Sequence, residues 1–434
     1  MSRTIAIDGH NLALQRGTGV ATYAKNLADA IASMGWEVHT VYGAPVSHRA
    51  PALLREVSFF DYLGGVQEKR GALSEALGWV KEVVTSPFGR AAVEIPMSGS
   101  VEIRRFASRL PRQSTILNVE SMFGVARRHF RRFGRFLEIK GDLKPDAMHW
   151  TYPLPIRFAG VPNIYTIHDL VPLKLPYTTL DNKRYYFRLI RECIRAGDLI
   201  CTVSEQSKRD IVDLFDIPED RVFNTYQAVE SSWGNAARSR SEVEHEVAGL
   251  YGLQPGNYFL FFGAIEPKKN VGRLVEAFLS VPLDASLVIV GSLAWKSAEE
   301  MKLVESLLKM RPELTGRIRV FDYAPRPFLV SLVRSAKAVV FPSLYEGFGL
   351  PVLEAMQLGT PTLSSTEGSL PEIAGDATLS VDPYDVAAIA RGLIQLDRDS
   401  DLRSRLSAAG IERAGRFNMT IYQARLNELY QRVF

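Results

Sequence analysis

The chain has 434 residues, 46% of them hydrophobic and 23% charged, with a formal net charge of +4. That is enough apolar material for two ordinary domains, and 32 glycines with 23 prolines indicate neither disorder nor a fibrous repeat. Only Cys193 and Cys201 occur, so a disulfide framework and a zinc-ligand spacing are excluded, and buried free thiols in a reducing cytoplasm are expected.

The first residues enter a strand without an apolar leader, and runs such as YFLFFGAI are too short to cross a bilayer. A cytoplasmic protein, soluble or peripheral on the inner membrane face, is the expectation. Charge is uneven. Residues 103–140 carry ten Lys/Arg against Glu120 and Glu138, a local +8 that leaves −4 for the remainder.

In chain order, Thr4 to Asp8 reads as a buried strand, followed by a loop and a helix from the Gly17-Thr18-Gly19 segment to about Met34. Gly35 closes that helix and Trp36 to Tyr42 is a second strand, the opening of a doubly wound sheet. The glycines do not match a dinucleotide fingerprint, because eight residues separate them from Asp8 and Thr22 stands at the third glycine position. They suit either a backbone approach to phosphate or a plain turn.

Residues 46–143 are less regular. Within them, 124–140 places Ala126, Phe130, Phe133 and Leu137 on one helical face, flanked by Arg127, Arg128, Arg131, Arg132 and Arg135. Such a segment either lies on an anionic membrane or is a solvated basic helix packed by its phenylalanines. No reading motif accompanies the arginines, so nucleic acid is not an expected partner.

Strands at 147–151 and 163–167 follow, the second delivering His168 and Asp169 to a strand's carboxyl end, where open α/β sheets bind ligands. A core histidine is the alternative for His168. A helix at about 181–196, a strand at 199–203 and a helix at 205–215 capped by Ser204 complete the first half. The charged stretch from about Glu230 to Leu250 reads as irregular and as the domain boundary. Strands at 258–262, 286–290, 317–321, 338–341, 361–364 and 379–381 then alternate with helices, and the last amphipathic helix spans 419–432. The fold class is α/β: two Rossmann-like domains, 1–235 and 236–418, with a cleft between them, and a terminal segment 419–434.

The most informative stretch is FPSLYEGFGLPVLE, residues 341–354. It reads as strand, glycine loop and helix, with free N–H groups and the helix dipole favouring an anion beside Glu346 and Glu354. A ligand bearing hydroxyls and phosphate, a nucleotide-sugar, is the economical candidate. Lys268 and Lys269 end another strand, where ammoniums can neutralise a departing diphosphate or simply be solvated. A retaining hydrolase pair is disfavoured, since this spacing does not fix the required separation of about 5 Å. Asp397-Arg398-Asp399 matches a metal-binding DxD only formally, in a polar link between helices, and no metal is expected.

LYEGFGLPVLEAMQLGTP, GAIEPKKN, TIHDLVPL, VSEQSKRDI and SLPEIAGDATLSVDP together resemble the recurrent segments of retaining glycosyltransferase family 4, in the family's order, from about residue 145 onward. The style is that of group 1 bacterial surface-polysaccharide enzymes, mannosyltransferase-like. The resemblance implies a GT-B fold whose last helix crosses back onto the first domain. It implies that Glu346 holds donor-sugar hydroxyls, Glu354 the ribose, and the amides from Gly347 through Phe348 and Gly349 to Leu350 the sugar and diphosphate. Lys269 matches the phosphate lysine, with Lys268 beside it; His168 and Asp169 lie near sugar and acceptor, and Gly17 and Gly19 face the donor phosphates. Many members carry Arg where Ala264 stands, and Lys268 is the candidate for that charge. The expected activity is metal-independent, retaining transfer of a hexose, GDP-mannose favoured, to a glycan or lipid-linked acceptor in lipopolysaccharide-type assembly, with no cofactor. A non-catalytic GT-B scaffold and a sugar-nucleotide epimerase are the alternatives.

Overall fold

A computed structural model describes residues 3–14, 19–65, 89–106, 109–112, 115–229, 238–292, 306, 309–310 and 316–434. The first half contains β1 (Thr4–Asp8), α1 (Gly19–Ser33), β2 (Glu37–Tyr42), α2 (Ala52–Gly64), β3 (Arg90–Ile95), β4 (Thr115–Asn118), α3 (Met122–Phe133), β5 (Leu137–Gly141), β6 (Ala147–Trp150), β7 (Ile156–Phe158) and β8 (Asn163–Thr166). It ends with α4 (Val171–Lys174), α5 (Lys183–Ala196), β9 (Leu199–Thr202), α6 (Glu205–Phe215) and β10 (Val222–Asn224). The second half comprises α7 (Arg240–Tyr251), β11 (Tyr258–Phe262), α8 (Val271–Leu279), β12 (Ser286–Val290), β13 (Ile318–Phe321), α9 (Arg326–Arg334), β14 (Ala338–Phe341) and α10 (Leu350–Gln357). After it come β15 (Thr362–Ser365), α11 (Leu370–Ala374), β16 (Leu379–Val381), α12 (Val386–Arg398), α13 (Ser400–Ala414) and α14 (Met419–Gln431).

The strands form two sheets, ordered β10-β9-β8-β6-β1-β2-β4-β3-β5-β7 and β13-β12-β11-β14-β15-β16. The second is parallel throughout, and its inner strands are covered on both faces, which is why YFLFF and SLVIV are near-continuous apolar runs. The first is parallel except where β3 meets β4. In the second sheet the strand order runs outward in both directions from the β11–β14 pair, and in the first from the β1–β6 pair, although there β3 and β4 are swapped and β7 joins the far edge. The carboxyl ends at these two reversals of strand order are the physical positions for ligand crevices.

The terminal helix α14 packs on α1. Its Tyr430 hydroxyl lies 2.8 Å from His149 Nδ1, while His149 Nε2 lies 2.8 Å from Thr166 Oγ1. Burial, and then the neighbouring His168, depress the His149 pKa to about 3, so the ring is held neutral. Trp36 and Phe434 add ring contacts to Tyr430.

Two sequence expectations change. The basic segment is not one helix over 124–140. It ends at Phe133, because Gly134 turns left-handed at φ 69° and accepts no further helix, and Leu137 begins β5. Phe133 is 41% exposed, so Ala126 and Phe130 reach the core from the helix, Leu137 reaches it from β5, and Phe133 does not. The stretch 230–250 is not irregular throughout. Residues 240–251 form α7, whose Ser239 and Glu242 make a reciprocal capping box. Gly17, and most of residues 296–309, which read in the sequence as the helix between the strands at 286–290 and 317–321, lie outside the described residues.

Candidate functional site

The site forms where the reversal of the second sheet faces the first domain. After β11 the chain makes a one-turn helix, Pro267–Lys269, and Asn270 then takes a left-handed φ of 62°. The Asn270 amide donates to the carbonyls of Pro342 (3.0 Å) and Pro383 (2.7 Å), and Leu344 N–H donates to the Lys268 carbonyl at 2.7 Å. These bonds tie the lysine turn to the loop after β14, which sets Lys269 beside Glu346. Lys269 Nζ donates to Glu346 Oε1 at 2.6 Å and lies 4.8 Å from the centre of the Phe341 ring. Lys268 Nζ is 3.6 Å from Glu266, 3.9 Å from Glu346 and 3.9 Å from Asp169.

Only Asp169 in that group comes from the first domain, so Lys268 bridges the cleft. Burial alone would push the Glu346 carboxyl up, but Lys269 and then Lys268 outweigh it, and its pKa is lowered. Burial likewise opposes the Lys268 ammonium, yet Glu346, Asp169 and Glu266 reverse that and raise its pKa. Both groups are therefore ionised at neutral pH.

Glycine is needed twice in the loop that carries Glu346. A Cβ on Gly347 would overlap the His168 carbonyl oxygen and sit 3.0 Å from Asp169 Cβ. Gly349 holds φ 108° at the start of α10. Ser369 pins the loop from below, its Oγ 3.0 Å from the Glu346 carbonyl and 2.9 Å from that of Phe348. The Phe348 ring is buried against Phe417, which leaves its backbone as the part on the loop. Glu354 sits half-buried on α10, one turn beyond Leu350.

Across the cleft, His168 Nε2 lies 2.8 Å from the Thr151 carbonyl. A carbonyl only accepts, so Nε2 carries a proton and Nδ1 is the basic nitrogen of the neutral ring. Burial is the largest influence and lowers the His168 pKa. Tyr23 meets the ring edge-on at 4.8 Å, and Tyr186 donates to the Asp169 carbonyl at 2.9 Å.

Helix α6 joins the domains. Glu372 of the second domain accepts from the backbone N–H of Glu205 (2.7 Å) and Gln206 (3.0 Å), capping a helix of the first. Ser207 Oγ is 2.9 Å from the His168 carbonyl and 3.3 Å from that of Gly347, and Tyr345 donates to Asp210. Glu372, Tyr345 and Ser207 were missed by sequence reasoning because each acts on a partner more than a hundred residues away.

The structure thus brings His168, Asp169, Lys268, Lys269, Glu346 and Gly347 together, with Gly349, Leu350 and Glu354 on the adjoining loop and helix. Gly19 opens α1. Arg127, Arg128, Arg131, Arg132 and Arg135 are exposed on α3 and the turn after it, whereas Asp169 belongs to the cleft. The Asp397-Arg398-Asp399 run has structural partners: Asp397 pairs with Lys337 at 2.6 Å, and Asp399 caps α13 through Leu402 N–H at 2.7 Å.

Two parallel-sheet domains facing one another at their reversal points define a GT-B glycosyltransferase. The family model described as "Glycosyltransferase Family 4" matches residues 17–231, and that described as "Glycosyl transferases group 1" matches 252–413. The chain belongs to this glycosyltransferase family. It is 36% identical over 260 residues to the O-antigen chain mannosyltransferase B of Escherichia coli, a match covering 59% of this chain and 66% of that one. It is 32% identical over 280 residues to the serotype-specific mannosyltransferase WbdA of Escherichia coli, covering 62% of this chain and 33% of WbdA. Among solved structures, sucrose-phosphate synthase from Thermosynechococcus elongatus superposes with a TM-score of 0.65 at 19% identity, over 100% of this chain and 99% of the other. At that identity the likeness speaks for the fold alone.

Proposed function

We propose that the chain transfers mannose from GDP-mannose to a glycan or lipid-linked oligosaccharide in surface-polysaccharide assembly, with retention and without a metal. The observation that carries this reading is the buried Lys269–Glu346 pair at the reversal of the second sheet, facing His168 across the cleft. The mannosyltransferase names of the two Escherichia coli relatives support the sugar.

A nucleotide-sugar would exchange partners with the resting ion pairs. Its diphosphate takes Lys269, with Lys268 beside it, and its sugar hydroxyls take Glu346. The bond from the anomeric carbon to the phosphate oxygen breaks as the acceptor hydroxyl forms its own bond from the same face. That hydroxyl's proton passes to the departing phosphate. Two lysines and the start of α10 supply the positive charge that the leaving diphosphate needs. Closure of the domains over α6 keeps water out.

The test is a panel of GDP-, UDP- and dTDP-sugars, with and without chelator, followed by NMR of the product. GDP-mannose is expected to be consumed only when a mannoside acceptor is present, equally in chelator, giving an α-linked product. Consumption of no nucleotide-sugar would favour a scaffold, and conversion of donor alone an epimerase.

The same reading brings a lipid-linked acceptor in over α3. Its exposed arginines are joined by Arg184 and Arg188 of α5, and the exposed Phe133 and Phe187 lie on the same two helices. Arg188 stacks on Phe130 at 5.2 Å and Arg131 on Tyr185 at 5.6 Å, which holds the helices together. Each basic residue at an anionic surface contributes about 1 kcal/mol. Binding to phosphatidylglycerol vesicles should be salt-sensitive and should fall at least about tenfold in an R128E/R131E/R132E variant. Unchanged binding would remove the membrane from the account. No helix among the described residues is long and apolar enough to cross a membrane.

A further inference from the structure

Thr166 ends β8, His168 follows two residues later, and Tyr23 of α1 touches both. The Tyr23 hydroxyl lies 3.0 Å from Thr166 Oγ1, and its ring meets the His168 imidazole edge-on, with centroids 4.8 Å apart. The polar contacts run on from Thr166. Its Oγ1 lies 2.8 Å from His149 Nε2, and His149 Nδ1 lies 2.8 Å from the Tyr430 hydroxyl on α14. One line of side chains thus joins the terminal helix to the histidine in the cleft: Tyr430, His149, Thr166, Tyr23, His168.

Tyr23, His149, Thr166 and Tyr430 are each at most 1% exposed, so protein partners and not solvent fix their orientation. Because the His149 ring is neutral, one of its nitrogens donates and the other accepts, which gives each of the two flanking hydroxyls a set role. The Tyr23 hydroxyl is further restrained by Cys201 Sγ at 3.7 Å and by Tyr422, also on α14. A phenylalanine at 23 would fill the same space, so what the tyrosine adds is this hydrogen bonding. His168 itself has a single ring hydrogen bond, from Nε2 to the Thr151 carbonyl, about which the imidazole is free to rock. The edge of Tyr23 closes off that motion.

We propose that Tyr23, held by the line through Thr166 and His149 to Tyr430, is the positioning residue that fixes the His168 imidazole for transfer, so that the terminal helix sets the geometry of the cleft histidine. Buried as they are, these residues act only through His168. Reacting groups tolerate little misplacement, about a hundredfold in rate for about 1 Å, so a small rocking of the ring is enough to slow the reaction. The effect on rate rests on the transferase reading; the effect on the ring does not.

Two variants of the whole chain test this: Tyr430→Phe removes the far hydroxyl and Tyr23→Phe the near one, each without loss of ring volume. With GDP-mannose and a mannoside acceptor, each should lower kcat about tenfold while KM for GDP-mannose stays within about twofold. The double variant should be no slower than the slower single, since both cut the same line. In the absence of any substrate, the imidazole ¹⁵N resonances of His168 should move in both variants while circular dichroism is unchanged. As a check that needs no variant to fold, the wild-type His149 resonances should remain those of one neutral tautomer from about pH 5 to about pH 8. Unmoved His168 resonances in both variants, rate losses that multiply in the double variant, or a His149 that titrates in that window would overturn the proposal. So would a lowered melting temperature with kcat unchanged. His168 resonances that move in a protein consuming no GDP-mannose would keep the positioning line and sink the donor reading. Unmoved resonances with GDP-mannose turned over at the wild-type rate would do the reverse.

Discussion

Glu346→Ala is expected to lower transfer by about 10²–10³-fold, the range seen when one preorganised electrostatic contact to a transition state is removed. It is also expected to destabilise the fold. The Lys269 and Glu346 side chains are 12% and 8% exposed, and removing one partner leaves the other charge buried, a loss of about 3–5 kcal/mol. Removing both partners leaves no orphan. A Lys269→Ala/Glu346→Ala double variant should therefore melt above either single variant while remaining as inactive as the worse of them. Thermal melts and initial rates on the four proteins check this cycle. Recovery of activity together with stability would mean that the pair only holds the fold.

The second large effect is expected at Gly347. Its φ is not in the left-handed region, so the residue is required by space and not by backbone strain. The atoms a Cβ would meet are the His168 carbonyl and Asp169 Cβ, neither of which is the far end of a flexible side chain. Gly347→Ala should hold the domains apart, break the Ser207 bridge, and lower turnover about a hundredfold, the loss that misplacement by about 1 Å can bring. Small-angle scattering should report a larger radius of gyration than for the wild type. An active variant of unchanged radius would show that the closed contact is dispensable.

The parts of this molecule legible in the sequence were those written in local pattern. The runs at 258–262, 286–290 and 338–341 are apolar on both faces, and the structure places all three in a parallel sheet. The helix ends at Gly35 and Ser204 were equally plain. Two local signals were present but overridden. Leu137-Glu138-Ile139-Lys140 alternates buried and exposed, the period of a strand, and the helical reading of the arginines ran through it. Ser239-Arg240-Ser241-Glu242 is a capping box in a stretch that its charge made look irregular.

What the sequence withheld is what tertiary topology assembles. His149 and Tyr430 are far apart in the chain and meet because α14 packs back on α1. Lys268 reads as a solvated loop lysine until Asp169 arrives from the other domain. Glu372 lies at the start of its own short helix, where a dipole role is the natural reading, yet it caps α6 across the cleft.

The central claim is that the Lys269–Glu346 pair is the donor site, and calorimetric titration of GDP-mannose into the wild type and Lys269→Ala tests it most directly. The account predicts saturable binding to the wild type and a loss of at least about tenfold in the variant, since a buried charged hydrogen bond to phosphate contributes about 1.5–3 kcal/mol. Equal affinity of the two proteins for GDP-mannose would contradict it.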